Sequence, residues 1–299
     1  MGTYPPTDRR VRERTCAPVA QPNTVPTLTL NNGVEIPQLG FGVFQIDPAD
    51  TSAAVQQALS VGYRHIDTAQ MYGNEAEVAE GIAESGVDPS TIFVTSKINN
   101  NSHGYDATRR SFAETLDKLR TEQIDLILIH WPLPTVGDFL GTWRALEQEY
   151  ADGRARAIGV SNFQPGHLQK LFEESTVVPA VNQIEVHPYF AQTGLREFDA
   201  QHGIATEGWS PIAQGDVLDD PVVGAIAKRI GKSPAQVVLR WHIQNGVIVF
   251  PKASSAERMT ENFELFDFSL EPADMAEINA LDRDGRRGPN PDTFDYVPD

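Results

Sequence analysis

Residues 63–86 read YRHIDTAQMYGNEAEVAEGIAESG, a β-rich run followed by a turn and then by a helical stretch. The run Tyr63–Thr68 has the composition of a buried strand. Asn74 and Glu77 have the spacing of a capping box, and Gly86 is a typical helix stop. The segment therefore predicts one strand–turn–helix unit.

The same unit repeats along most of the chain at intervals of roughly thirty residues. Most of its β-rich runs lack strict alternation of apolar and polar residues, as expected of strands that are buried on both faces. The predicted strands are Leu39–Phe44, Tyr63–Thr68, Ile92–Lys97, Ile124–His130, Ala155–Ser161, Ala180–Glu185, Ala205–Ser210 and Val247–Lys252. This is the number of strands in a closed parallel barrel, so the sequence predicts the α/β class and a (β/α)8 TIM barrel.

Local signals refine this prediction in the segments before the first and the last predicted strands. Leu28–Ile36 reads as a β-hairpin that turns at Asn31–Gly33, and we expect it to cap the bottom of the barrel. A doubly wound open sheet is the competing architecture, but no Gly-x-Gly-x-x-Gly follows the first strand, since Gly40–Gly42 lies inside it. Near the other end, Ser233–Gln236 predicts the capped start of a helix that runs to Gly246.

Composition and charge exclude several classes of protein. The 299 residues carry a formal net charge of -17, so neither a nucleic-acid backbone nor an acidic membrane surface is an expected partner. Cys16 is the only cysteine and the histidines are scattered, so no disulfide and no metal site is expected.

We predict a disordered leader (1–25), the barrel (26–284) and a C-terminal tail (285–299). Because the leader has no apolar run of signal-peptide or membrane-helix length, we expect a cytoplasmic protein, monomeric by default.

Ionisable side chains lie at three successive predicted strand ends. Asp67 ends the second strand, Tyr72 follows in its loop, Lys97 ends the third strand and His130 ends the fourth. The chemistry of a barrel of this kind lies at the C-terminal ends of its strands, so we expect these side chains to meet. The hypothesis is that Tyr72 protonates a carbonyl oxygen as hydride reaches the carbon, while His130 orients that oxygen.

The surroundings of Tyr72 are expected to tune its acidity. The Lys97 ammonium should lower the tyrosine pKa from its free value of ~10, and Asp67 should keep Lys97 charged and in place. Each residue also has a purely structural explanation, since a strand-end Asp or Lys is commonly half of an ion pair and His130 beside Trp131 is commonly a core histidine. The joint placement at successive strand ends favours the catalytic interpretation.

Four motifs resemble those of the aldo-keto reductase family. They are Gly62–Glu75 (GYRHIDTAQMYGNE), Leu128–Pro132 (LIHWP), Ile158–Phe163 (IGVSNF) and Val181–Pro188 (VNQIEVHP). The resemblance covers residues 28–281 and is nearest to bacterial 2,5-diketo-D-gluconate reductases, because of the segments GFGVFQ, VLRWH and VFPK. It implies NADPH as the cofactor and a catalytic tetrad of Asp67, Tyr72, Lys97 and His130.

An anion site is predicted after the last strand. Ser254 and Glu257 have capping-box spacing, so a helix should begin there between Lys252 and Arg258. A helix N-terminus flanked by two cations suits a phosphate, although a capped helix with two solvated cations is the alternative. The resemblance assigns Lys252 and Arg258 to the adenosine 2′-phosphate. It places the other NADPH contacts at Ser161, Asn162, Gln183, Trp209, Ser210, Ser254, Glu261 and Asn262.

One position departs from the family pattern at this anion site. The family usually has serine directly after the lysine, where this chain has Ala253. The missing hydroxyl donor costs about 1 kcal/mol of phosphate binding. Lys252 and Arg258 still favour NADPH, but some use of NADH becomes more credible.

The substrate is expected to contact loops at the same rim. The predicted contacts are Phe44, Tyr72, Asn99, His130 and Trp131. Relatives usually carry tryptophan where Asn99 stands, so Asn99–Asn101 predict an open, polar pocket wall and a small polar carbonyl, keto sugar or dicarbonyl substrate. Asparagine runs are also ordinary loop composition. In the family the tail often folds over the active site, so Phe294 and Tyr296 either touch the substrate or belong to a disordered tail.

Other classes of function stay open at this point. The main alternative is a cofactor-binding sensor or partner subunit with little turnover, which would not require all four tetrad residues. A structural or storage protein would need neither the tetrad nor the phosphate site. The site residues, rather than the fold, favour an enzyme.

Overall fold

The computed structural model describes residues 25–253 and 255–298. Its main sheet has eight strands in sequence order, and all the neighbouring pairs are parallel. The sheet closes on itself, because Leu39 bridges to Val249 and the Gly40 amide donates to the Val249 carbonyl at 2.9 Å. The predicted (β/α)8 barrel is confirmed, and the alternative of a doubly wound open sheet is wrong.

Helices follow every strand of the barrel. Two strands form a separate hairpin, β1 (Thr27–Thr29) and β2 (Glu35–Pro37). The eight barrel strands are β3 (Phe41–Gly42), β4 (His65–Asp67), β5 (Phe93–Ile98), β6 (Ile124–Ile129), β7 (Ala155–Ser161), β8 (Val181–Glu185), β9 (Ala205–Trp209) and β10 (Ile248–Val249). The helices are α1 (Pro48–Val61), α2 (Glu75–Glu84), α3 (Tyr105–Leu119), α4 (Phe139–Ala151), α5 (Pro165–Glu174), α6 (Thr193–Gln201), α7 (Pro221–Ile230), α8 (Pro234–Gln244), α9 (Ala256–Phe263) and α10 (Pro272–Asn279). Over the described part of the chain, none of them is both long and apolar enough to cross a membrane.

The starts of two helices test the predicted caps. In α8 the Ser233 hydroxyl accepts from the Gln236 amide at 3.2 Å, and the Gln236 side chain accepts from the Ser233 amide at 3.0 Å, as predicted. The capping box at Asn74 is wrong, although α2 begins directly after this residue. Asn74 is buried, and its side chain instead accepts from the Thr68 hydroxyl at 2.9 Å and donates to the Val43 carbonyl at 3.2 Å. These partners replace the local cap and tie the start of α2 to the ends of β3 and β4.

The β1–β2 hairpin closes the bottom of the barrel. Its turn contains Gly33 with a φ of +84°, a conformation that favours glycine. Leu30 and Ile36 are buried in the cluster of side chains that fills the barrel interior. The Asn31 amide donates to the carbonyl of Pro179, just before β8, at 3.0 Å. The hairpin therefore lies at the N-terminal ends of the strands, as predicted, and leaves the C-terminal rim open.

Both faces of the barrel strands are buried. In β6, Leu126 and Leu128 pack into the barrel interior, whereas Ile127 and Ile129 pack with the surrounding helices. Successive side chains of a strand point to opposite faces, so each β6 residue contacts either the interior or the helix layer. This is the physical reason why the runs lack polar alternation, and why ionisable groups are concentrated at the strand ends.

Candidate active site

A buried ion pair lies at the C-terminal rim of the barrel. Lys97 Nζ, in β5, lies 2.8 Å from each carboxylate oxygen of Asp67, at the end of β4, and donates to the Thr68 carbonyl at 2.9 Å. Lys97 is 0% exposed and Asp67 is 5% exposed. Burial by itself would lower the pKa of Lys97, but the charge and hydrogen bonds of Asp67, together with Tyr72 and Glu207, offset it and the pKa is raised. Lys97 is therefore a charged ammonium held in a fixed position.

Tyr72 lies over this ion pair. It ends the short 3-10 helix Gln70–Tyr72, which stops at Gly73 with a φ of +69°. The Lys97 ammonium nitrogen is 5.1 Å from the centre of the Tyr72 ring. Burial raises the pKa of Tyr72 above its ordinary value, and the opposing effect of Lys97 is smaller. The predicted lowering effect of Lys97 is present, but desolvation of the phenol outweighs it, so the net shift is upward and Tyr72 is a protonated phenol at neutral pH.

His130 forms the adjacent wall of the site. It follows β6 directly, and its ring centre is 5.8 Å from that of Tyr72. Burial, and secondly the charge of Lys97, hold the pKa of His130 well below its ordinary value, so the imidazole is neutral. Its Nδ1 is buried and has no hydrogen-bond partner among the described residues. Its backbone carbonyl accepts from Asn162 Nδ2 at 3.0 Å, which fixes this part of the rim.

The structure brings the four predicted tetrad residues together. A neutral phenol and a neutral imidazole lie side by side above a charged lysine–aspartate pair. Such a site can give one proton and one hydrogen bond to an oxygen that gains negative charge. Lys97 and Asp67 do form an ion pair, as the structural explanation expects. Tyr72 packs directly on this pair, which the structural explanation does not account for.

A second group of predicted residues lies across the rim. Trp209 Nε1 donates to Asn162 Oδ1 at 2.9 Å, and Asn162 Nδ2 donates to Ser161 Oγ at 3.1 Å. The Ser161 hydroxyl in turn donates to the Gln183 carbonyl at 2.8 Å. Asn162 and Ser210 adopt positive φ angles of +64° and +50°. One continuous series of hydrogen bonds therefore connects the ends of β7, β8 and β9.

Gln183 connects this second group to the ion pair. Its Nε2 donates to Asp67 Oδ2 at 2.8 Å and to Glu207 Oε2 at 2.7 Å. Glu207, in β9, is 0% exposed and was not predicted as a site residue. The sequence feature that could have identified Glu207 is a carboxyl group in the middle of a predicted strand, because both faces of a barrel strand are buried. The tetrad and the second group are thus one network.

The C-terminal segment covers an edge of Trp209. Glu185 accepts hydrogen bonds from the backbone amides of Arg287 and Gly288, at 2.6 Å and 2.9 Å. Gly288 lies so close to the indole that a Cβ there would be 2.4 Å from Trp209 Cη2. Arg287 also forms an ion pair with Asp216, in the loop after β9. Residues of the predicted tail therefore lie beside Trp209 at the C-terminal rim of the barrel.

Two cations lie at the start of α9. Lys252 and Arg258 are both exposed there. Ser255 Oγ accepts from the Arg258 amide at 3.3 Å and is the N-cap of the helix. The predicted capping box of Ser254 and Glu257 is wrong by one residue, because the helix begins at position 256. Ser254 itself lies outside the described residues.

The side chains next to these cations differ in exposure. Asn262 is buried and Glu261 is half-buried, and the Glu261 carbonyl accepts from Gln236 Nε2 at 3.1 Å. Ala253 is 4% exposed and packs in the apolar cluster between the barrel and its helices. The methyl group of Ala253 therefore contacts the protein interior.

Comparison with known proteins decides the family. A model described as the Aldo/keto reductase family matches residues 38–283. The chain belongs to this family. An aldo-keto reductase of Mycobacterium sp. (strain JLS) is 49% identical over 272 residues, which are 91% of this chain and 99% of that protein. The glyoxal reductase of Bacillus subtilis (strain 168) is 46% identical over 267 residues, 89% of this chain and 96% of that protein.

A solved structure agrees with this assignment. A mutant of Gox0644, crystallised in complex with NADPH, has a TM-score of 0.88 and 43% sequence identity. The match covers 91% of this chain and 100% of that one. The resemblance noted in the sequence is confirmed, and this aldo-keto reductase is an oxidoreductase.

Aromatic side chains border the cleft of this aldo-keto reductase. The ring centres of Phe44 and Tyr72 are 5.0 Å apart, and those of Trp131 and Phe294 are 4.3 Å apart. Phe44 is 53% exposed, so part of its ring is open to solvent beside Tyr72. Among the described residues, no group of His, Cys, Asp and Glu could hold a metal ion.

The three asparagines at the rim have different environments. Asn99 Oδ1 accepts from the Asn100 amide at 2.7 Å and caps the turn that follows. Asn100 is buried, and its Nδ2 donates to the Tyr296 carbonyl at 2.8 Å. Asn101 is exposed and accepts from the Ser102 hydroxyl at 3.2 Å. The expectation that all three amides line the pocket is wrong for Asn100, because its amide anchors the C-terminal segment.

Proposed function

We propose that this aldo-keto reductase uses NADPH to reduce an aldehyde or ketone to the alcohol, with Tyr72 as the proton donor. The observation that carries the proposal is the buried Lys97–Asp67 pair beneath Tyr72, with the neutral ring of His130 beside it. A charged lysine next to a phenol stabilises the phenolate that remains after the proton has left. A merely structural ion pair would require neither the tyrosine nor the histidine.

The roles of the four residues follow from their protonation states. Tyr72 enters the reaction as a phenol, because its pKa lies above the ordinary value. His130 is neutral, so its ring N–H can donate to the carbonyl oxygen and hold it near the phenol. Asp67 keeps Lys97 charged in a buried site. NADPH, when bound, supplies the hydride.

The second group of residues fits the nicotinamide end of NADPH. Both N–H groups of the Gln183 amide are taken by Asp67 and Glu207, and its Oε1 accepts no hydrogen bond from the described residues. That oxygen is suited to accept an N–H of the nicotinamide carboxamide. Trp209 is half-buried and offers a flat apolar face to the nicotinamide ring. Further contacts are proposed for Ser161, Asn162 and Ser210.

The start of α9 fits the adenosine end. Its N-terminal amides, with Lys252 and Arg258, make an anion site suited to a 2′-phosphate. Glu261 and Asn262 are proposed to contact the adenine. Ala253 brings no hydroxyl to this site, so the proposed preference for NADPH over NADH rests on the two cations.

The proposed substrate is a small polar carbonyl, keto sugar or dicarbonyl. Asn99 supports this proposal, since its Oδ1 caps a turn while its Nδ2 donates to none of the described residues. Phe44, Trp131 and His130 are the other proposed contacts. The relative in Bacillus subtilis is named a glyoxal reductase, and glyoxal is a small dicarbonyl.

The decisive test follows the loss of NADPH absorbance against methylglyoxal, a nitrobenzaldehyde, an α-keto ester and a diketo sugar acid. We expect Tyr72→Phe to lose about 10²–10⁴-fold in turnover and to keep its affinity for NADPH. Tyr105→Phe, at a tyrosine that is 40% exposed and is not a proposed cofactor or substrate contact, is the matched control and should turn over like the wild type. Near-normal reduction by Tyr72→Phe would contradict the proposed proton donor.

The same assay addresses substrate and alternative function. Asn99→Trp should change the order in which the carbonyls are preferred, and an unchanged order would remove Asn99 from the pocket. Tight NADPH binding by the wild type without turnover of any carbonyl would favour the alternative of a cofactor-binding sensor or partner subunit.

A further inference from the structure

Glu207 is a buried carboxyl group without a role in the proposed proton transfer. It lies in the middle of β9, opposite Gln183 of β8 and Ile248 of β10. It is 0% exposed, and its Oε1 has no hydrogen-bond partner among the described residues. Burying a carboxyl group is costly. We therefore expect its hydrogen-bond partner to give it a role that offsets this cost.

Among the described residues, the Glu207 side chain accepts one hydrogen bond, which comes from Gln183. Gln183 Nε2 has two N–H groups, one directed at Asp67 Oδ2 (2.8 Å) and the other at Glu207 Oε2 (2.7 Å). An amide has two chemically different ends, a donor NH2 and an acceptor oxygen. Two acceptor oxygens on one side of the amide favour the orientation that turns the NH2 toward them. Gln183 Oε1 is then left facing the rim.

We propose that Glu207 is a positioning residue that, together with Asp67, fixes the Gln183 amide with its Oε1 toward the nicotinamide carboxamide. The inference rests on the proposed function, because it assumes that NADPH binds beside Gln183. Asp67 alone gives the amide a single acceptor and leaves its second N–H unpaired. Glu207 accepts from this second N–H, and the two hydrogen bonds together prevent rotation of the Gln183 amide.

The protonation state of Glu207 guides the choice of variants. Burial raises the pKa of Glu207 to about 8, and the Asp67 carboxylate adds to the shift. At neutral pH Glu207 is therefore mainly a neutral acid that accepts through Oε2. Glutamine has the same size and an acceptor oxygen, so Glu207→Gln keeps the contact to Gln183. Glu207→Met keeps the approximate volume and removes the acceptor.

The experiment compares two ligands by calorimetry, NADPH and 2′,5′-ADP, which lacks the nicotinamide. For Glu207→Met we expect the Kd of NADPH to rise about tenfold, the effect of one lost hydrogen bond, with the Kd of 2′,5′-ADP unchanged. Glu207→Gln should recover most of the NADPH affinity. In a Gln183→Leu background, Glu207→Met should weaken NADPH binding no further, because Glu207 acts through Gln183.

Asp199 provides the matched control for losing a buried carboxyl group. It is 0% exposed, burial raises its pKa to about 8, and it accepts from Asn182 Nδ2 at 3.2 Å, whereas among the described residues it forms no hydrogen bond with a proposed cofactor contact. Asp199→Asn should bind both ligands like the wild type, even if its melting temperature changes. Glu207→Leu replaces Glu207→Met if the methionine variant does not fold.

The outcomes separate this inference from the proposed function. Wild-type protein that binds neither ligand would contradict the proposed function, and the inference with it. Wild-type binding with unchanged NADPH affinity in Glu207→Met would overturn the role of Glu207 alone. Equal weakening of both ligands, or no recovery in Glu207→Gln, would also overturn it, because either result indicates a general structural role.

Discussion

The two ends of the proposed NADPH site are built in different ways. At the nicotinamide end, Lys97, Asp67 and Gln183 are at most 5% exposed and bonded to one another within 2.8 Å. At the phosphate end, Lys252 and Arg258 are exposed on a helix start. In the buried network each group depends on the others, because an unpaired charge there is costly. The exposed cations act more independently, and salt screens them.

The largest effect is expected from Lys97→Met, at the buried end. It leaves the Asp67 carboxylate buried without its cation, so we expect the free energy of unfolding to fall by about 3–5 kcal/mol. Turnover should fall by about 10²–10⁴-fold, because the phenolate of Tyr72 loses its stabilising charge. Denaturant unfolding and the NADPH assay measure the two effects.

Lys232→Met is the matched control for that substitution. Lys232 pairs with Asp267 at 2.7 Å on the surface, where the Asp267 side chain is 46% exposed. Losing such a pair should cost less than about 1 kcal/mol, with turnover retained. Equal destabilisation by the two lysine variants would contradict the contrast between buried and exposed groups.

A smaller and more specific effect is expected from Arg258→Ala, at the exposed end. One charge-assisted contact to a 2′-phosphate should be lost, so KM for NADPH should rise roughly tenfold to a hundredfold. KM for NADH, which has no 2′-phosphate, should stay the same, and the salt dependence of NADPH binding should become weaker. A parallel rise of both KM values would remove Arg258 from the phosphate site.

Gly288→Ala tests the C-terminal cover of the nicotinamide end. An added Cβ would lie 2.4 Å from Trp209 Cη2, so either the indole or the segment must move. Overpacking of this kind costs about 1–3 kcal/mol, and we expect about a tenfold rise in the Kd of NADPH. Gly224→Ala, where an added Cβ meets nothing within 4 Å, is the control and should bind NADPH normally.

The smallest effect is expected from Ala253→Ser. The methyl group of Ala253 packs in an apolar cluster, so a hydroxyl there is poorly placed to reach a 2′-phosphate held by the exposed cations. We expect the ratio of NADPH to NADH efficiency to change by less than about tenfold, which is below the effect of a well-placed hydrogen bond to a charged phosphate. A larger gain in NADPH preference would place the serine hydroxyl on the phosphate and sharpen the role of this position.

Local sequence was sufficient to predict the barrel and most of its candidate site. Strand, turn and helix signals recur within short segments, and a parallel barrel brings every strand end to the same rim. The positions of Asp67, Lys97 and His130 at strand ends follow from these signals alone. Local signals were less reliable for caps, because Asn74 satisfies the same sequence pattern as Ser233 but is buried among side chains from other elements, and α9 begins one residue later than its pattern predicts.

The sequence by itself therefore determined the order of the elements and the strand-end positions of the four proposed tetrad residues, because both depend on short-range patterns. Only the tertiary structure decided how the site is held together. The Gln183–Asp67 bond joins residues 116 positions apart, and the bond of Gly288 to Glu185 joins residues 103 positions apart. Such contacts, like the desolvation that keeps Tyr72 protonated, arise from closure of the barrel and have no counterpart in any local run of residues.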